Sequence, residues 1–135
     1  MATRIDSQVV SVLGAAGLSL TDATNLFRGP PLDVGGVPDD CVFVTATGGP
    51  APQDYIDGGS GPTVKSKTAL VTIRAQFNNN QAGYALAENC LDALHKSDPS
   101  GWISFEVRES APNYIGVDEQ SRHRWTFNVE GMIKE

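Results

Sequence analysis

The sequence predicts an α+β fold, a mostly antiparallel sheet with two helices packed on one face. Three observations predict it. Residues 5–16 and 81–96 place apolar side chains at helical spacing. Residues 64–77 and 122–133 alternate apolar and polar side chains, the period of a half-buried strand. The elements run α-β-β-β-α-β-β and end in a hairpin, an order that suits helices gathered on one side of a sheet. The chain has 135 residues and a mass of 14.3 kDa, which fits one domain over 1–135.

The first helix carries Ile5, Val9, Val12, Leu13 and Ala16 on one side, with Gly17 as the expected C-cap. A short extended stretch follows at Asn25-Leu26-Phe27. Cys41 to Ala46 is rich in β-formers and stops at Gly48-Gly49, so it predicts a strand. The clearest strand is Val64 to Phe77, with Val71, Ile73, Ala75 and Phe77 on its apolar face. Asn78-Asn79-Asn80 offers N-caps for the second helix, whose apolar face is Tyr84, Ala87, Cys90, Leu91 and Leu94. Asp98-Pro99 ends it. In Trp102 to Val107 the alternation sets Ile103, Phe105 and Val107 opposite Trp102, Ser104 and Glu106. In the last strand His123, Trp125, Phe127 and Val129 face one way, and Arg122, Arg124, Thr126 and Asn128 the other. Residues 109–121 form a long hairpin connection.

Breakers are concentrated. Residues 28–63 hold eight of the 14 glycines and six of the eight prolines, which makes two long loops at 28–38 and 48–62. Loops of that length are commonly functional or mobile. The second has few apolar anchors beyond Tyr55 and Ile56, so it is expected to order only against a partner.

Composition excludes several classes. Ten Lys and Arg against 16 Asp and Glu give a net charge of −6, a poor match to phosphate backbones. No apolar run approaches the 18 or so residues of a membrane span, and Met1 to Asp6 shows no signal-peptide pattern. Cys41 and Cys90 are expected to be reduced, buried and unbonded.

The sequence departs from three catalytic patterns. Cys90 and His95 stand five apart on one helix, about 140° around it, and no CxxC or HxxxH occurs. Gly58 to Ser66 lacks the glycine before its lysine, and a strand follows it where a phosphate loop needs a helix. Gly58-Gly59-Ser60-Gly61-Pro62 lacks the last glycine of a nucleophile elbow. No cofactor, metal site or enzymatic activity is therefore expected. His123, on an apolar strand face, is expected to be a hydrogen-bonded structural histidine. Arg122 and Arg124 share the polar face, beside Arg74 if the strands pair. They suit either a solvated, salt-bridged face or carboxylates on a partner subunit.

Three segments carry a resemblance: Asn25 to Pro30, Pro38 to Gly49, and Pro112 to Glu119 continuing through Arg122 to Asn128. Together they resemble the tail terminator (tail completion, or minor capsid) proteins of long-tailed bacteriophages and phage-like particles. That family has a "PDxxVxVxxTGG"-like stretch and a late "YIGxDExxR…FxFN"-like stretch. The resemblance implies a structural virion protein at the tail–neck junction, assembled in the host cytoplasm. It implies a ring, typically hexameric, that caps the head-proximal end of the tail tube, stops tube polymerisation and joins tail to head. The implied partners are further copies of the chain, the tail tube protein and a head–tail connector protein. DNA would pass through without specific binding, and no membrane is involved. The expected subunit or tube interface comprises Tyr55, Ile56, Arg74, Arg122, Arg124, Tyr114 and Asp118. The alternatives are a connector or stopper protein of the neck, or a small hydrolase or ligand-binding domain.

Overall fold

The computed structural model describes residues 3–31, 37–52 and 63–135. In chain order the elements are α1 (Ile5–Gly14), β1 (Leu26–Arg28), β2 (Cys41–Gly48), β3 (Val64–Ala75), a 3-10 turn (Phe77–Asn79), α2 (Asn80–Leu94), β4 (Trp102–Val107), β5 (Asn113–Val117) and β6 (His123–Lys134). This is the α+β class that the sequence predicts. The six strands form one sheet in the order β1-β2-β3-β6-β4, with β5 also paired to β6. Every pairing is antiparallel except β1 with β2.

The β3–β6 ladder is the spine. It runs in unbroken register from Val64↔Lys134 to Ala75↔His123. Alternation then assigns the two faces of the sheet. On one face Val71 lies opposite Phe127 and Ile73 opposite Trp125. These side chains are buried with Val9 and Leu13 of α1 and Ala87, Cys90 and Leu94 of α2. Each such fully buried side chain contributes roughly 1.5–3 kcal/mol of hydrophobic stabilisation. Gly83 lets α2 come close: a Cβ there would sit 2.6 Å from Ala75 Cβ and from the Trp125 ring.

β6 is long enough to hold two partners on its other side. β4 pairs with its C-terminal half and β5 with its N-terminal half. Between them Glu109 accepts hydrogen bonds from the N–H and the side-chain amide of Asn128, both at 2.9 Å. The Arg108 N–H donates to the Asn128 carbonyl at 3.0 Å, so both backbone groups of Asn128 are satisfied.

Six local expectations are corrected. α1 ends at Gly14 with Ala15 as C-cap, and Gly17 (φ +74°) sits in the turn beyond. Phe77 leaves the apolar face of β3, because the chain turns at Gln76, and its side chain is exposed. Asn79 holds the N-cap position of α2 without a capping bond and donates to Asp40 instead. In α2 the expected face of Ala87, Cys90, Leu91 and Leu94 is buried, but its first member is Gly83, and Tyr84 is half-exposed. In β4 a register shift between Trp102 and Ser104 puts Trp102 and Phe105 on the buried side and leaves Ile103 outside. The connection 109–121 also contains β5, a strand that its sequence does not announce.

Both cysteines are unbonded and buried. Burial pushes the Cys90 thiol up to about 12. It pushes Cys41 up to about 11, with Arg74 and Arg122 pulling the other way. The two ends of the described chain are tied by Lys67. Its ammonium donates to the Thr3 carbonyl and to Glu135 Oε1, both at 2.6 Å. That bond, then the Thr3 N–H, lowers the Glu135 carboxyl to about 2.

Two predictions follow from this packing. The "TGG" stretch needs both glycines, since Gly48 has φ +101° and a Cβ on Gly49 would lie 1.9 Å from the Ser66 carbonyl oxygen. Gly49→Ala should cost about 2 kcal/mol or more, read as a lower thermal midpoint. Gly14→Ala, with nothing within 4 Å and no positive φ, should raise stability by about 0.5 kcal/mol in the same measurement. The second concerns acid. Because the folded-state pKa of Glu135 is depressed to about 2, its stabilisation is complete above the ordinary carboxylate range and is lost as pH falls toward about 2. Urea melts from pH 6 to pH 2 should show a smaller acid loss for Glu135→Gln than for the wild type.

Candidate functional site: the β5–β6 hairpin and its arginine cluster

The polar face of the sheet is built on the same ladder. Arg74 of β3 lies directly opposite Arg124 of β6, and Cys41 of β2 lies on the other side of Arg74. Arg122 sits one turn residue before β6, and Arg74 and Arg122 are both buried. A buried guanidinium must spend its donors on acceptors. Arg74 donates from Nε to the Asp39 carbonyl at 3.1 Å and from Nη2 to the Pro38 carbonyl at 2.8 Å. Its planar group stands 5.2 Å from the centre of the Phe43 ring. Arg122 donates from Nε to Asp118 Oδ2 at 2.8 Å, from Nη1 to Asp39 Oδ1 at 3.2 Å and from Nη2 to Gln120 at 3.1 Å. These two arginines, expected at a subunit interface, are thus engaged within the chain.

Asp118 organises the hairpin turn. Its Oδ1 accepts from the N–H groups of Gln120 (3.0 Å) and Arg122 (2.9 Å). Burial raises its carboxyl, but those N–H bonds and the Arg122 guanidinium outweigh that and hold it below the ordinary range. Asp40 does the corresponding work before β2, accepting from the Gln76 N–H at 2.7 Å and from Asn79 at 2.9 Å. The "PDD" and "DExxR" stretches are therefore clamps that join the segment before β2, the end of β3 and the β5–β6 turn.

Arg124 differs from its neighbours. Its Nη2 donates to the Val117 carbonyl at 3.2 Å, while its buried Nε has no hydrogen-bond partner. It walls a cleft of about 230 Å³ with Arg74, Arg122 and Thr72, between Pro31 and the 118–120 turn.

On the other face of the hairpin an aromatic row reaches the surface. His123 is buried and bonded on both ring nitrogens, to the Tyr114 hydroxyl at 2.8 Å and to the Phe77 carbonyl at 3.0 Å. A carbonyl only accepts, so Nε2 carries the proton and Nδ1 accepts from Tyr114. The Phe77 ring stacks on His123 at 5.3 Å, and Tyr114 leans on His123 and Trp125 at 5.8 and 5.6 Å. The outer members are open to solvent: Phe77 63%, Tyr114 53%, Ile115 47% and Val117 44%. Ile115 occupies a register shift in β5, and Gly116 beside it has φ +91°.

Of the expected interface residues, the fold gathers Arg74, Arg122, Arg124, Tyr114 and Asp118 around this one hairpin. Tyr55 and Ile56 lie outside the described residues, as does most of the loop expected to order on a partner. The sequence reading missed Phe77, Ile115 and Val117. The signal was present for the last two, since they flank Gly116 within the motif-bearing stretch. Among the described residues no cluster of three or more His, Cys, Asp or Glu has the arrangement of a metal site, and no helix is long and apolar enough to cross a membrane.

The family model described as bacteriophage tail terminator protein matches residues 36–133. Among solved structures, a chain of the virion of a native gene transfer agent particle has the same fold, with a TM-score of 0.65 at 15% identity. The match covers 97% of this chain and 95% of that one. Among curated protein sequences none matches.

Exchanging the arginines should separate clamp from surface. Arg122→Ala removes a buried guanidinium from the partly exposed Asp118 and the half-exposed Asp39 and should cost about 2 kcal/mol. Arg124→Ala breaks no ion pair among the described residues and should change folding stability by about 1 kcal/mol or less. Chemical denaturation of the two variants checks this.

Proposed function

The chain belongs to the bacteriophage tail terminator family, whose members are structural proteins of the virion, and on that premise we propose that it closes the head-proximal end of a tail tube. Copies assemble into a ring, with six as the expected number. The ring halts tube polymerisation and provides the surface to which the head connector binds. The role is structural and involves no catalysed reaction.

The observation that carries this reading is the β5–β6 hairpin: one end of the subunit is rigidly clamped from within, yet it presents uncovered aromatic and aliphatic side chains. Clamps at Arg74, Arg122 and Asp118 act as positioning residues, while Tyr114 and Arg124 contact a neighbouring subunit or the tube. Patches of that kind on soluble chains mark contact sites. A neck or stopper protein is the second reading, distinguished by which end of the assembly it binds.

Charge fits a passage for DNA. Lumenal cations that neutralised phosphates would hold the strand by counterion release, and a subunit of net charge −6 allows a neutral or acidic bore. Acidic groups repel phosphates only within about 8 Å at physiological salt.

Electron microscopy of the protein mixed with assembling tail tubes should show density at one tube end and tubes of arrested length. Tubes that lengthen unchecked with bare ends would contradict the reading. Arg124→Glu should impair capping while leaving the subunit folded, and the purified protein should not bind duplex DNA tightly at physiological salt.

A further inference from the structure

Sheet edges invite pairing by other chains, and folded proteins cover the ones they do not use. Among the described residues β1, β4 and β5 are the outermost strands of this sheet. At β1 the Ala23 N–H donates to the Leu26 carbonyl at 2.9 Å, so the preceding turn covers that edge. At β4 the Lys96 N–H donates to the Phe105 carbonyl at 3.0 Å, and the Val107 N–H donates to His95 Nδ1 at 3.2 Å. The segment after α2 thus lies along β4 and closes it. Among the described residues β5 has β6 as its only strand partner, and no hydrogen-bonded segment covers its outer side. This open edge is bordered by Phe77, Tyr114, Ile115 and Val117, all exposed.

We propose that the β5 edge receives an extended segment of a second copy of this chain, which adds a strand beside Asn113–Val117 and packs on Phe77, Tyr114 and Val117. Strand addition of this kind draws affinity from main-chain hydrogen bonds and specificity from alternate side chains. The inference rests on the ring reading above and names the contact that builds the ring.

Three features select a second copy. The edge residues Asn113–Val117 and Phe77 beside them carry no charged side chain, and Arg124 reaches the edge at the Val117 carbonyl, whereas the chain as a whole carries −6. Copies of one acidic chain repel each other least across an uncharged surface. The four exposed side chains offer on the order of 400 Å² of apolar surface, about half of what each partner contributes to a standard interface. The register shift at Ile115 and the left-handed Gly116 also disfavour β5 pairing with its own copy. Such symmetric pairing would stop at a two-fold dimer, whereas pairing with a different segment of the next copy propagates head to tail and closes as a ring.

A photo-crosslinking amino acid in place of Ile115, introduced into the full chain and activated in assembled particles, tests the contact. The expected product is a covalent dimer of this chain. Crosslinks only to a different protein would overturn the proposal. Independently, Ile115→Lys combined with Val117→Lys should weaken self-association in sedimentation velocity by at least about tenfold, with an unchanged melting curve. A folded double variant that assembles like wild type would also overturn it. In both overturning cases rings still form, so the ring reading stands. A wild-type chain present as a single copy per particle would remove the ring reading and this contact together.

Discussion

The long β3–β6 pairing is the constraint on which everything else depends. Its unbroken register gives each of these strands one apolar and one polar face, and a slip by one residue would exchange them. With the register fixed, Ile73 and Trp125 meet under the helices, and Arg74 and Arg124 meet on the opposite side. The length of β6 matters equally. It leaves an outer flank that two shorter strands share, and that sharing creates the β5 hairpin as a separate, projecting unit.

The hairpin combines rigidity with exposure. Its base is fixed by Asp118 and Arg122, and its middle by the Tyr114–His123–Phe77 chain of hydrogen bonds and rings. A contact surface held this way loses little side-chain entropy when a partner docks. The buried charges therefore serve placement rather than net stability, which a paired ion cluster supplies only weakly. The glycines do comparable work: Gly83 and Gly131 admit the helix and the Trp102 ring closely, and Gly116 turns the edge strand.

Much of this was legible in the sequence. The β3 and β6 alternation fixed the sheet and its two faces, and the spacing in 81–96 found the second helix. Tyr84 and Ile103 misled, because a close helix–sheet approach and a register shift are decided by tertiary contacts. Gly83 faces the sheet since only it fits there, and Trp102 turns inward against Gly131. Phe77 continued the β3 pattern on paper, yet the chain bends one residue earlier. β5 was hidden because a five-residue strand with a glycine next to its centre lacks the alternation that announces one. The arginines were placed on the correct face. Their partners were out of reach, since Asp39 lies 83 positions from Arg122.

Amide hydrogen exchange on the free subunit and on the assembled ring tests the central claim most directly. Residues 113–117 should exchange fast in the free subunit and become protected on assembly, while the already covered edges at β1 and β4 change little. Unchanged fast exchange at 113–117 in the ring, with new protection elsewhere, would contradict the assignment of the β5 edge as the assembly contact.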